Sequence, residues 1–279
     1  MIEKYFNKEI LISQGILCLN FGLIKFFSKD ISTNSIILFK TIINIIFNLF
    51  SKNKLNSDTF TFFSIKSNSI FDKKFFFNYL SNFFLIKSLK KMKFSNVVTL
   101  TIFNPFLFVF DNYLKQKNSE KNIILLGLIG IGNFLILYFE NKKGSFYIIF
   151  HLFFTYFLTK SQLNSIKNKE KNKNYVSYFY NIFFSLIFGI LFGLNFEFFL
   201  IIFLCFASLF LNVVLAFYNK INQTNKKYSY YNSILIILIN MFFNNIFFNE
   251  LNNIFDIIGT ILIFSIYYYD DLIKKIKTE

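Results

Sequence analysis

Two apolar runs near the end of the chain, Tyr230–Phe248 and Ile254–Tyr269, are separated by only five residues, Asn249-Glu250-Leu251-Asn252-Asn253. A helix rises about 1.5 Å per residue and the hydrocarbon core of a bilayer is roughly 30 Å thick. Each run therefore has the length of a helix that crosses most of a bilayer, and the polar break reads as the turn of a hairpin. A cruder copy lies earlier, as Ser95–Tyr113, a break at Lys115-Gln116-Lys117-Asn118, and Ile123–Phe139. Gly259 follows Glu250 at the same spacing at which Gly127 follows Asn118. Any fold for this chain has to accommodate the duplicated hairpin.

The same alternation of apolar runs and short polar breaks continues through the chain. Besides these four segments, the runs are Ile10–Phe27, Ser35–Phe50, Phe75–Leu89, Ser145–Thr159, Tyr175–Phe192 and Phe198–Tyr218. With 54% hydrophobic residues, 46 Phe in 279 positions and a mean hydropathy of +0.48, a water-soluble domain has too little interior to hide this surface. The expectation is an all-α integral membrane protein of ten transmembrane helices. The halves 1–143 and 144–279, the second including a polar linker at 160–174, would each supply five. Most lysines fall in the even-numbered connections and at the two ends of the chain. By the positive-inside bias both termini are then cytoplasmic. Five helices per half make the second repeat inverted relative to the first, an arrangement typical of secondary transporters. The first run lacks a small-residue cleavage site, so it is expected to remain as an anchor.

Several function classes are excluded at this level. The net charge of +15 resides on lysines beside apolar runs, which points to anionic lipid and not to nucleic acid. Cys18 and Cys205 lie in separate runs and read as small buried residues rather than a disulfide or a metal pair. No Ser/His/Asp set, metal-ligand cluster or Gly-rich phosphate loop is present, so neither enzymatic activity nor a cofactor is expected. Arg and Trp are absent while Phe, Ile, Asn and Lys abound, which fits the codon bias of an AT-rich genome.

Polar residues recur inside the runs at helical spacing. They are Lys40, Asn44 and Asn48; Asn78 and Asn82; Thr101 and Asn104 beside Pro105; His151, Thr155 and Thr159; Tyr178, Asn181 and Ser185; Ser208 and Asn212; and Ser233, Asn240 and Asn244. In lipid such side chains turn toward protein or a wet cavity. The candidate substrate-binding set is Lys40, Asn44, Asn78, Asn82, Asn104, His151, Tyr178, Asn181, Asn212 and Asn240. The Lys40 ammonium would meet an anionic group on a small metabolite; its alternative is to snorkel to the surface. His151, the single histidine, reads first as a hydrogen-bonded packing residue and second as a proton relay. The acidic Asp111, Glu197 and Asp256 lie at the ends of runs, not in their middles. The glycines of Ile123–Phe139 and Ile254–Tyr269 suit a close helix crossing, either within the chain or in a homodimer.

These residues together resemble the drug/metabolite transporter superfamily, in its EamA-type branch, over nearly the whole chain. Phe248-Asn249-Glu250-Leu251 with Gly259 is similar to that family's turn between the fourth and fifth helices of a repeat. Lys117-Asn118, in the first half, lacks the acidic residue. Leu38-Phe39-Lys40-Thr41 resembles the segment that carries a basic residue early in the second helix. Leu85 to Asn104, through Lys90, Met92, Ser95 and Asn96, resembles the third-to-fourth helix segment, and Asn104-Pro105 resembles the helix-four proline there. Within the family, the stretch from Tyr231 to Glu250 is most like the S-adenosylmethionine uptake transporters of intracellular bacteria. The resemblance implies an inner-membrane carrier that moves a small metabolite by alternating access, with S-adenosylmethionine uptake by exchange as its sharpest form. Tyr178 would then offer a cation–π contact to the sulfonium, and Lys40 would meet the carboxylate. An exporter of amino acids or drugs, and a membrane subunit without transport activity, are the alternatives.

Overall fold

The computed structural model describes residues 8–28, 30–52, 73–102, 120–167, 174–195, 197, 200–207, 210 and 230–276. The elements named over these residues are all helices: α1 (Lys8–Phe27), α2 (Thr33–Lys52), α3 (Lys73–Lys91), α4 (Phe94–Ile102), α5 (Glu120–Tyr138), α6 (Lys142–Lys167), α7 (Asn174–Phe192), α8 (Tyr230–Phe248) and α9 (Ile254–Ile276). A further helical run occupies 200–207, inside the predicted segment Phe198–Tyr218.

The expectation of an integral membrane fold of ten transmembrane helices in two inverted repeats, with cytoplasmic termini, is corrected here. Among the described residues no helix is long and apolar enough to cross a membrane. Polar residues break the apolar stretches at short intervals. α2 carries Asn34, Lys40, Asn44 and Asn48, and α3 carries Asn78, Ser81, Asn82, Lys87 and Ser88. α4 is described over nine residues. What remains of the expectation is the helical class and the positions of the polar breaks.

The helix ends follow local chemistry. Ser32 caps α2 by accepting the Ser35 N–H at 3.2 Å. Asn141 does the same for α6, accepting the Lys143 N–H at 3.0 Å. At α9, Asn253 and Asp256 form a reciprocal box. The Asp256 carboxylate accepts the Asn253 N–H at 2.8 Å, while the Asp256 N–H bonds the Asn253 carbonyl at 3.0 Å. α8 stops where Asn249 takes a left-handed conformation, φ 52°, which Asn tolerates better than most residues with a side chain.

The chain forms two compact units. Unit 1 comprises Met1–Phe26, Ser88–Ile148 and Leu211–Glu279, and unit 2 comprises Phe27–Lys87 and Ile149–Phe210. In unit 1, α9 packs most extensively on α5, and α8 packs on α4. Gly132 and Gly259 make the α5–α9 crossing. A Cβ on Gly132 would lie 2.7 Å from the Gly259 carbonyl oxygen, and a Cβ on Gly259 equally close to the Gly132 oxygen. The glycine faces of these two segments therefore meet within the chain. Gly127, singled out by its spacing, has open space around it.

In unit 2, α2 packs on α7 and the interior is largely aromatic. Tyr79 of α3 stacks on Phe188 at 5.6 Å, Phe75 on Tyr180 at 5.2 Å, and Phe84 on Phe154 at 5.7 Å. The Tyr79 hydroxyl donates to Asn34 Oδ1 at 2.9 Å, so its polar end is satisfied inside the stack. The predicted break after α7 contacts the break before α2. The Asn195 N–H donates to Ser35 Oγ at 3.2 Å, and its amide donates to the Asp30 carbonyl at 3.1 Å.

Candidate functional site: an ionic cluster at the start of α4

The sequence-selected residues divide as follows. Lys40 and Asn44 lie half-buried on α2. Asn78 and Asn82 are half-buried on α3, and the Asn82 amide donates to Asn78 at a long 3.5 Å. His151 is buried on α6, with Nδ1 2.9 Å from the Ser81 carbonyl and 3.1 Å from Ser81 Oγ. Ser81 Oγ in turn pairs with Thr155 at 2.9 Å, so His151 sits in a small polar knot between α3 and α6. Asn181 is buried on α7, and its Oδ1 has no hydrogen-bond partner among the described residues. All of these belong to unit 2. Asn240, on α8 in unit 1, donates to Cys18 Sγ at 3.3 Å. Tyr178 lies within α7, its side chain outside the described set. Asn104 and Asn212 fall outside the described residues.

The densest polar constellation is elsewhere, in unit 1. It gathers the end of α1 and the α3–α4, α5–α6 and α8–α9 connections around the first turn of α4. Lys25, 4% exposed, reaches three acceptors: the Met92 carbonyl at 2.6 Å and both oxygens of Glu250 at 2.7 Å. The Phe248 ring lies 5.2 Å from the same ammonium. A buried lysine is tolerated only with such saturation, because desolvating an ammonium costs several kcal/mol.

Glu250 also serves α4. Its Oε2 accepts the Phe94 N–H at 3.1 Å, a donor it shares with Asn244 Oδ1 at 3.0 Å. The preceding donor, the Lys93 N–H, points to Glu140 at 3.3 Å. The first N–H groups of a helix have no partner inside it, and they carry the positive end of the helix dipole. Here two carboxylates, Glu250 and Glu140, arrive from two different connections to receive them.

A second tier ties α9 in. The Lys93 ammonium pairs with Asp256 Oδ2 at 2.6 Å, and Asp256 is fully buried. The Asn96 amide donates to Glu140 Oε1 at 2.6 Å and to Asp256 Oδ1 at 2.9 Å. Ser95 Oγ donates to Asn252 at 2.6 Å, and the Asn244 amide to the Glu250 carbonyl at 2.7 Å. Two lysines thus face three carboxylates. Burial pushes the Glu140 carboxyl above its ordinary value. The bonds from Asn96 and the Lys93 N–H, with the Lys93 charge, oppose that shift, and the Asp256 charge adds to it.

The sequence marks the Glu250 turn and places Asp256 at the end of a run, but a search for charge in the middles of the apolar runs misses Lys25, Lys93 and Glu140. The available signal was different. Each of these residues flanks a break, and Glu140 and Glu250 each follow an aromatic-rich helix end. Among the described residues no group of His, Cys, Asp and Glu is arranged to hold a metal ion. No family model matches the chain, and no curated protein matches it significantly.

Proposed function

We propose that the chain is a membrane-bound carrier of a small polar metabolite, of the drug/metabolite transporter type. The observation that carries this reading is the distribution of polarity. Large apolar side chains crowd the outside, as with Phe134, Tyr138, Ile190, Phe206 and Phe242, while Asn96, Asn244, Ser185 and Asp256 are fully enclosed. Water selects the opposite arrangement, and exposed apolar surface on this scale needs an apolar phase against it. Lipid acyl chains against the helix faces answer that need. The reading rests on those faces.

A carrier also needs polar groups held inside for its substrate. Lys40, which has no carboxylate in ion-pair contact among the described residues, and the unpartnered Asn181 Oδ1, both in unit 2, supply an ammonium and an amide acceptor suited to an amino-acid-like ligand. In its specific form the proposal names S-adenosylmethionine, taken up by exchange at the inner membrane of a bacterium. Uptake of labelled S-adenosylmethionine by bacterial cells expressing the chain tests it, with Lys40→Ala as the control. Uptake competed by S-adenosylhomocysteine and lost in the variant supports the proposal. Uptake equal to that of cells lacking the chain, with the protein recovered in the membrane fraction, rejects that substrate.

A further inference from the structure

Among the described residues, the ionic cluster of unit 1 leaves one carboxylate without an ammonium in ion-pair contact. Asp256 has the Asn96 amide on one oxygen and, on the other, the Lys93 ammonium with the Asn253 N–H. Glu250 holds Lys25. Glu140 receives only N–H donors, from Asn96 at 2.6 Å, Lys93 at 3.3 Å and its neighbour Asn141 at 3.4 Å. Among the described residues it has no ammonium in ion-pair contact. The charged groups around it are Asp256 of α9, Lys93 ahead of α4, Glu250 and Lys25 on the far side of the α4 start, and Lys142 and Lys143 at the exposed start of α6.

One amide, that of Asn96, serves two carboxylates, and its other end is unused. Asn96 is 0% exposed, yet among the described residues its Oδ1 has no hydrogen-bond partner. An enclosed amide oxygen without a donor is costly. A carboxylic acid in the cluster would supply the missing donor.

We propose that Glu140 is a proton-binding site. A proton taken from water resides on the Glu140 carboxyl. The Asn96 amide then turns so that Oδ1 accepts the new O–H, while Nδ2 keeps its bond to Asp256. Three carboxylates against two lysines become two against two, and the cluster is neutral. Ionisation removes that donor and leaves two carboxylates competing for one amide at the first turn of α4. The inference adds a proton as a second ligand to the carrier reading. It is tested without any metabolite, so either can fail alone.

The test is the carboxylic C=O stretch in infrared spectra of the full chain in detergent, recorded as pH is raised. A band is expected that shifts to lower frequency when the chain carries carbonyl-labelled glutamate. It should disappear with a midpoint above the ordinary glutamate range and be missing in Glu140→Gln. Asp256→Asn removes the neighbouring negative charge and should lower that midpoint. The proposal is overturned if no glutamate band titrates above the ordinary range in the labelled wild-type chain, a reading that needs no variant to fold. It is equally overturned if the band persists in a Glu140→Gln chain whose helical circular dichroism is intact.

Discussion

The two compact units solve the same problem with opposite chemistry. Around the start of α4, unit 1 is fastened by charge: Lys25, Lys93, Glu140, Glu250 and Asp256 reach across connections far apart in sequence. Unit 2 is filled by rings, with Tyr79, Phe184 and Phe188 in one cluster of stacked and tilted pairs and Phe84, Phe150 and Phe154 in another. An ionic cluster has few arrangements that satisfy every member, and removal of one leaves a buried partner exposed to a large penalty. Ring contacts accept stacked, tilted and edge-on arrangements, and a conservative change loses one contact at a time. The comparison predicts that unit 1 is intolerant of single charge deletions and unit 2 tolerant of conservative aromatic ones.

The largest effect is expected from Lys25→Ala, which strands Glu250 and the Met92 carbonyl. A loss of about 3 kcal/mol in unfolding free energy is expected, the low end for a broken buried pair because Glu250 keeps some contact with solvent. Denaturant titration of the purified chain reads it, and a loss below about 1 kcal/mol would erase the contrast between the units. Next comes Gly132→Val. Its Cβ would press on the Gly259 carbonyl and Ile263, and overpacking of this kind costs about 2 kcal/mol. Gly127→Val, at a glycine with open space, is the matched control and should be near neutral apart from local helix propensity.

A smaller effect is expected in unit 2. Tyr79→Phe keeps the stack and removes the bond to Asn34, a change of about 1 kcal/mol. A loss as large as that of Lys25→Ala would show that unit 2 also depends on directional polar contacts. The smallest effect is in pH dependence. The Glu140 carboxyl is raised from its ordinary value of 4.5. For an acid raised in the folded state, ionisation disfavours the fold. Its contribution is therefore fully present below the ordinary value and is lost as pH rises from there through the folded value. Thermal unfolding midpoints of the wild-type chain should fall across that window relative to Glu140→Gln, and parallel curves would contradict the assignment.

Much of the helical layout was legible in the sequence because helix ends obey local rules. The break Asn249–Asn253 stands where α8 ends and α9 begins, and Gly259 marks a close crossing, as its position in an apolar run suggested. Its partner was not legible. Ile123–Phe139 offers Gly127, Gly130 and Gly132, and the crossing uses Gly132, since register between α5 and α9 is set by packing and not by distance along the chain. Lys40 attracted attention because it stands inside a run. Lys25, near the end of its run, proved the better-anchored cation, and its carboxylate lies 225 residues away. No periodicity encodes a pair that distant. The ten membrane-crossing helices failed for a related reason: run length was legible, but the Asn, Ser and Lys residues inside the described runs leave no helix apolar enough over the length a crossing needs.

Whether a coupled ionic cluster holds unit 1 at the α4 start is decided by a double-mutant cycle on Lys25→Met and Glu250→Gln. Unfolding free energies of the wild-type chain, both single variants and the double variant would be measured in one detergent and buffer. Strong coupling is expected, with the double variant at least about 1.5 kcal/mol more stable than the sum of the single losses implies. Additive losses would mean that Lys25 and Glu250 act independently and that the cluster is not the fastening described.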